Sequence, residues 1–293
     1  MLESRYKHLF LWPALIALLA VIIFPLIYTI LLSFSGWSVN RAGLFWNGGA
    51  NYGRALADPR FWDSLGTLYT MVVLCVLFEY ILGFGLALLL WKQVRAGRFL
   101  RVLFIVPMSV TPVVMAVVWR TIFHETLGPL NDVLGWFGIP SVNWLSETAP
   151  AFAAVVIIDV WQWTSFIFIL MLAGLMQLPN EPYEAAQIDG AGPIRTFIHV
   201  TFPLMAPITL GALVIRLIES SKLMDTIYAL TSGGPGSSTE TTSYMLYIRG
   251  LREFQIGYTA TMSIIYLLIM MVGLTVFGKV MTRLMGANQV ARR

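Results

Sequence analysis

Glu79, Asp159, Arg216 and Glu219 are ionisable residues set inside long apolar runs. A charge in hydrocarbon is costly, so such residues face a protein interior or a water-filled path and mark routes for ions or solutes. Asp159, Gln162, Trp163 and Phe166 stand at i, i+3, i+4 and i+7, one face of a helix. Arg216, Glu219, Ser220 and Leu223 repeat the spacing. Such groups suit a hydroxyl-rich solute: Gln162 and Ser220 bond hydroxyls, while Trp163 and Phe166 cover an apolar ring face. Arg216 has two readings. It pairs with Glu219 or Asp159 as structure, or it contacts a sulfonate, phosphate or carboxylate on the solute. Trp161 and Trp163 serve equally well as helix packing.

A second group lies in EPYEAAQIDGAGPIRTFIHVTFP, residues 181–203. Asn180 is placed to cap a helix, Pro182 fits its first turn, and Glu181 and Glu184 suit its positive end. Ala185 and Ala186 offer a small surface for close packing. Gly190 and Gly192 break the helix. Pro193 starts another that carries Ile194, Phe197, Ile198 and Val200 to Pro203. An ordinary interfacial connector is the plain alternative, but this loop is apolar for a solvated linker and poor in basic residues for one that binds anionic lipid.

Other chemistry is absent. There is no Gly-x-x-x-x-Gly-Lys-Ser/Thr phosphate loop, so ATP is not bound by that route. His8, His124 and His199 are far apart and have no partner at metal-ligand spacing. No nucleophile motif accompanies the Ser and Asp residues. Cys75, the one cysteine, sits in an apolar run as a packing residue. The chain reads as a path whose energy comes from elsewhere, with neither catalytic residues nor a cofactor of its own.

The elements that must position these residues are membrane spans. The chain is 58% hydrophobic and 12% charged, about half the charged fraction of a soluble domain. Six segments reach the roughly 20 apolar residues of a spanning helix: about 9–34, 64–91, 102–123, 151–177, 204–226 and 261–284. The fold class is therefore all-α membrane protein, with one transmembrane domain over 1–293 and a loop at 178–203. Prolines at 13, 25, 107, 112 and 207 lie in or near spans, where they mark bends. The N-terminal run has no cleavage signal and is read as a retained first span.

Basic residues fix the orientation. With the N-terminus inside, the cytoplasm holds Arg5, Lys7, Lys92, Arg95, Arg98, Arg101, Arg195, Lys279, Arg283, Arg292 and Arg293, eleven in all. The outside holds five: Arg41, Arg54, Arg60, Arg249 and Arg252. The excess gives N-in, C-in, and explains the basic pI without nucleic acid. It puts 181–203 in the cytoplasm and 35–63, 124–150 and 227–260 outside.

The 181–203 stretch resembles the Glu-Ala-Ala loop of importer permeases of the ATP-binding cassette superfamily. The matching residues are Glu184-Ala185-Ala186, Asp189-Gly190-Ala191, Phe197, Phe202-Pro203 and Pro207. GLFWNGGANYGRALADPRFWDSL (43–65), LGPLNDVLGWFGIP with NWL (127–145), VWQWTSF (160–166) and LTSGGPGSSTETTSY (230–244) are similar to the maltose-type, carbohydrate-uptake branch. The resemblance covers nearly the whole chain. It implies a type I importer permease of the bacterial inner membrane, with six helices and alternating access. The implied partners are a second homologous permease, two copies of an ATPase that bind ATP and Mg, and an extracytoplasmic solute-binding protein. The implied solute is a sugar, polyol or glycoside, neutral or anionic. The loop would be a coupling helix in a cleft of the ATPase: Glu184 contacts a basic group, Ala185 and Ala186 allow close approach, and Gly190 makes the turn. The helices flanking it line a midplane solute site in that family. Gly233, Gly234 and Pro235 form either a flexible outer loop that reaches the cavity or the binding protein, or a surface turn.

Overall fold

The computed structural model describes residues 2–92 and 97–290, with side chains over 11–92 and 97–283. Arg95, Arg292 and Arg293 lie outside the described residues, and the side chains of Arg5, Lys7 and His8 are not described. The helices run in the order α1 (Leu2–Ser33), α2 (Ala50–Leu56), α3 (Pro59–Trp91), α4 (Gly97–Ile105), α5 (Pro112–Ile122), α6 (Pro129–Trp136), α7 (Thr148–Leu175), α8 (Glu181–Ile188), α9 (Pro193–Thr196), α10 (Phe202–Ser220), α11 (Asp225–Leu230), α12 (Thr242–Tyr247) and α13 (Ile256–Val290). Among the described residues, five helices are long and apolar enough to cross a membrane, or six spans if one bent pair counts as a span. At 33 residues, α3 is about 50 Å long and exceeds the hydrocarbon core.

The third expected span, 102–123, is not one helix. Gly97–Ser109 and Pro112–Ile122 meet at a 99° bend. Val110 and Thr111 between them are extended, as residues ahead of a proline prefer. Pro107 and Pro112 also lack the N–H groups a continuous helix would use. Apolar content marks this stretch as membrane-embedded, but its prolines decide the shape.

The fifth expected span, 204–226, is shifted. Its helix stops at Ser220. Thr241 Oγ1 donates to the Leu223 carbonyl at 2.7 Å and Ser243 Oγ to that of Ser221 at 2.9 Å, so side chains downstream satisfy the helix end. At its other end α9 runs through one wide turn, Phe197–Thr201, into α10. The second cytoplasmic helix is therefore the start of the span, not a separate piece. The wide turn falls where Pro203, without an N–H, would have bonded the His199 carbonyl.

The described chain forms two compact units, Met1–Asp63 with Met245–Ile269, and Ser64–Tyr244 with Met270–Arg293. The smaller is centred on Ala55, Phe61, Met245, Tyr258, Met262 and Ile265. In the larger, Phe84, Ala87 and Leu90 of α3 pack with Ile167, Phe168, Met171 and Leu175 of α7 and Met205 and Ala212 of α10. That three-helix core carries the ionisable residues, and α8 lies between two of its helices in sequence.

Candidate substrate path and coupling site

Arg216 is 1% exposed and closes a cluster across three helices. Its Nε donates to Glu79 Oε2 at 2.5 Å and its Nη2 to Glu79 Oε1 at 2.7 Å, a fork on the α3 carboxylate. Nη2 also donates to Asp159 Oδ2 on α7. The guanidinium lies 4.7 Å from the centroid of the Trp163 ring, over its face. Two carboxylates thus share one arginine, with an aromatic plane beside it. Three buried charges are tolerable here only because each is paired and hydrogen-bonded.

The expected Arg216–Glu219 pair does not form. Glu219 is exposed and accepts from Lys222 Nζ at 2.9 Å. Glu219 lies about 60° around the helix from Arg216, on the opposite side from the buried Ser220, and so falls at the exposed edge of the stripe. Leu223 lies beyond the helix end, so the stripe on α10 reduces to Arg216 and Ser220. Nε and Nη2 of the guanidinium are engaged by carboxylates, so the pairing with Asp159 that the sequence offered is formed. Glu79 was visible as an intramembrane acid, but its partnership, 137 residues away, had no local signal.

On α7 the four stripe residues separate into tasks. Asp159 joins the cluster. Gln162 Nε2 donates to the Val110 carbonyl at 2.6 Å and so serves the bend between α4 and α5. Trp163 and Phe166 are half-buried and meet edge to face, with centroids 6.2 Å apart. Trp161 packs instead on Trp119, at 5.7 Å. Among the described residues, the buried Gln162 Oε1 and Ser220 Oγ have no hydrogen-bond partner. Two buried polar atoms are thus left without a partner, while the Trp163 ring is shared between Arg216 and Phe166. Cys75, Glu79 and Asp159 bring ligand-type atoms within 4.8 Å of one another, a grouping that sequence spacing concealed. Arg216 already supplies the cation there, so the group does not fit a metal.

In the cytoplasmic loop, α8 ends in a Schellman turn. Gly190 N–H donates to the Gln187 carbonyl at 3.0 Å and Ala191 N–H to that of Ala186 at 2.9 Å. Gly190 has φ of 70°, the left-handed region that a Cβ disfavours. Asn180 flanks the helix but makes no side-chain cap bond. Glu184, Ala185 and Asp189 are exposed, whereas Ala186 is buried, so the expected alanine pair splits: one faces out and one packs in. Ile188 and Ile194 project at 86% and 75% exposure on either side of the turn. Tyr183 ties α8 to the spans, since its hydroxyl donates to Thr201 Oγ1 at 3.1 Å and its ring lies 5.4 Å from Trp91. Pro203 sits half-buried in the first turn of α10. A groove of about 670 Å³ opens beside α8, lined by Trp91, Tyr183, Gln187, Ile194 and Phe197 among others.

The outer segment at Gly233, Gly234 and Pro235 is hydrogen-bonded throughout. Thr239 Oγ1 donates to the Gly234 carbonyl at 2.8 Å and lies 2.7 Å from Thr231 Oγ1, and Gly234 N–H donates to Thr231 at 3.0 Å. Thr239, Thr241 and Thr242 are fully buried. Its glycines form a turn bonded to Thr231 and Thr239.

Membrane-spanning helices with a buried polar cluster among them, and a short structured helix between two of them in sequence, are the features of a transport permease. The chain belongs to the family described as the binding-protein-dependent transport system inner membrane component, whose model matches residues 79–285. It is 36% identical over 259 residues to the probable ABC transporter permease protein y4oQ of Sinorhizobium fredii, covering 88% of this chain and 84% of that protein. It is 34% identical over 261 residues to the trehalose/maltose transport system permease protein MalF of Thermococcus litoralis, covering 87% of each. In fold it matches a crystal structure of a bacterial ABC transporter that imports the acidic polysaccharide alginate, with a TM-score of 0.83, 21% identity and 96% of each chain covered.

Proposed function

We propose that this permease passes a neutral sugar or glycoside through the bacterial inner membrane, as one of two homologous permeases served by two ATPase copies and an extracytoplasmic binding protein. ATP and Mg belong to the ATPase. The observation that carries the choice of solute is the cluster at Arg216. Its Nε and Nη2 bond to Glu79 and Asp159, so two carboxyl groups crowd one guanidinium and disfavour an anionic group beside them. Trp163 and Phe166 remain half-buried and suit the apolar face of a ring, with Ser220 and Gln162 Oε1 as polar neighbours. Relatives named for trehalose/maltose, for sulfoquinovosyl glycerol and for sn-glycerol-3-phosphate transport span neutral and anionic solutes alike.

Coupling runs through α8. Glu184 and the projecting Ile188 and Ile194 form the face for the ATPase, with Ala185 at the closest approach. Asp189, Gly190 and Ala191 shape the turn, and Tyr183 and Pro203 hand motion to α10. Closure of the ATPase pair then moves spans that Arg216 holds together as one body, giving alternating access. The test is uptake into proteoliposomes containing the four-part complex and its binding protein. Neutral saccharides should accumulate with ATP, and their phosphorylated or carboxylated counterparts should not. Preferential uptake of an anionic form would reject the neutral reading.

A further inference from the structure

All five arginines that the charge count places outside, Arg41, Arg54, Arg60, Arg249 and Arg252, belong to the smaller unit. The outer segments of that unit, 35–63 and 245–260, set them against three acids, Asp58, Asp63 and Glu253, for a net charge of +2. The outer loop 124–150 holds Glu125, Asp132 and Glu147 and no Lys or Arg. Membrane topology disfavours cations on the outer side, so a basic patch confined to one unit needs a reason.

One of these arginines is built into a cavity without a counter-charge. Arg54 lines a polar cup of about 400 Å³ together with Trp37, Asn40, Gln255 and Tyr258. Its Nη2 donates to Gln255 Oε1 at 3.2 Å, and its guanidinium lies 3.9 Å from the Tyr258 ring centroid. Both partners are neutral, and among the described residues no carboxylate pairs with Arg54. The nearby acids are committed elsewhere. Glu253 Oε2 accepts from Arg249 Nη1 at 2.9 Å and from Gln255 Nε2 at 2.8 Å, while Asp58 Oδ2 accepts from the Tyr258 hydroxyl at 2.8 Å. Glu253 thereby turns the amide of Gln255 so that its oxygen faces Arg54. The guanidinium is held over the tyrosine with one N–H group used and the rest of its fork open. A carboxylate matches that fork in both shape and charge.

The surroundings have the make-up of an interface anchor. Trp, Tyr and Arg carry much of the binding energy between proteins, and Trp37, Tyr258 and Arg54 line this one cup. Among the described residues, the indole N–H of Trp37, the hydroxyl of Ser38 and the amide of Asn40 make no hydrogen bond, so polar groups remain for a partner's backbone. Phe254 stands between the wall residues Glu253 and Gln255 with φ of 52° and is 55% exposed. Glycine would take that left-handed position without strain, so the exposed ring is retained against the backbone's preference. The cup is also pre-formed. The Trp37 carbonyl accepts from Gly257 N–H at 3.0 Å, and a Cβ on Gly257 would collide with the Ser35 carbonyl. A wall fixed in this way loses little freedom when a partner docks.

We propose that this cup receives an aspartate or glutamate side chain of the extracytoplasmic solute-binding protein, with Arg54 as its charge partner. The inference rests on the import reading above, in which such a protein delivers the solute. The excess of outer arginines then draws the acidic face of that protein toward the smaller unit, since complementary charge steers encounter.

The test measures binding of saccharide-loaded binding protein to the whole complex in phosphatidylcholine nanodiscs, by interferometry at low and high salt. The Kd should rise about tenfold or more in Arg54→Glu, chiefly through slower association. It should rise less in Arg54→Lys, which keeps the charge but not the fork. Wild-type binding should weaken with salt, and that dependence should shrink in Arg54→Gln. Arg54 is exposed, so the melting midpoint should hold in each variant, and Arg54→Gln decides the matter if the reversal disturbs the fold. A photoreactive benzoylphenylalanine placed at Asn40 should crosslink to the binding protein. Reversing the acid nearest that adduct to Lys should restore binding to Arg54→Glu. A Kd within about twofold of wild type in both Arg54→Glu and Arg54→Gln would overturn the proposal. So would adducts on lipid or on the second permease with none on the binding protein. If loaded binding protein still stimulates ATP hydrolysis in those cases, only the role of the cup is lost. If the wild-type complex neither binds it nor hydrolyses ATP faster in its presence, the import reading itself has failed.

Discussion

Replacing Arg216 with Met isolates what the buried cluster contributes. In the native chain the guanidinium forks onto Glu79 and also reaches Asp159, with all three side chains at or below 3% exposure. The substitution leaves two carboxylates facing each other in an apolar core. Removing one partner from a buried ionic group costs about 3–5 kcal/mol, because the remaining charge is left uncompensated. At about 2–4 °C per kcal/mol, the melting midpoint should fall by about 6–20 °C. The assay is thermal unfolding of the detergent-solubilised chain, followed by the fraction that stays monodisperse. Two controls bracket the result. Glu219→Gln breaks an exposed pair with Lys222, worth about 0–1 kcal/mol, and should shift the midpoint by no more than about 4 °C. Arg216→Met combined with Glu79→Leu and Asp159→Leu removes every charge and should recover most of the loss. A wild-type midpoint in Arg216→Met alone would refute the reasoning. So would a triple variant as unstable as the single one.

Two further outcomes follow from local geometry. Gly190→Ala meets no atom within 4 Å, so its cost is the left-handed backbone alone, about 1–2 kcal/mol. ATP-driven uptake should weaken while membrane insertion, scored by protease protection, is unchanged. Gln162→Ala removes the donor to the Val110 carbonyl at the bend and should cost about 1–3 kcal/mol, read as a lower midpoint in the same melt.

Much of the architecture was legible in the sequence because lipid imposes length and apolar content. The spans at 9–34, 64–91, 151–177 and 261–284 needed nothing more. The turn at Gly190 was also readable, since a helix with Gly at this point after Glu-Ala-Ala has few ways to end. What could not be read depends on rotation and on distant partners. Arg216 has an acid three residues away and takes one 137 residues away, because burial and not sequence proximity decides which carboxylate needs it. Gln162 was readable as a polar residue on the solute face, but the bond of its Nε2 to a proline bend on another helix was not. The glycines at 233 and 234 were readable as a turn, but their bonds to Thr231 and Thr239 were not, since hydroxyl partners of that kind carry no periodic signal.

The central claim is that α8 connects an ATPase to the solute path. Its most direct measurement is ATP hydrolysis by the purified complex, with and without saccharide-loaded binding protein, in wild type and in Glu184→Lys. Glu184 is exposed beside the turn and bonds to no other side chain of the chain among the described residues, so reversing its charge should leave folding and assembly with the second permease intact. The account predicts that stimulation by loaded binding protein disappears in Glu184→Lys while it persists in wild type. Full stimulation in an intact Glu184→Lys complex would contradict it.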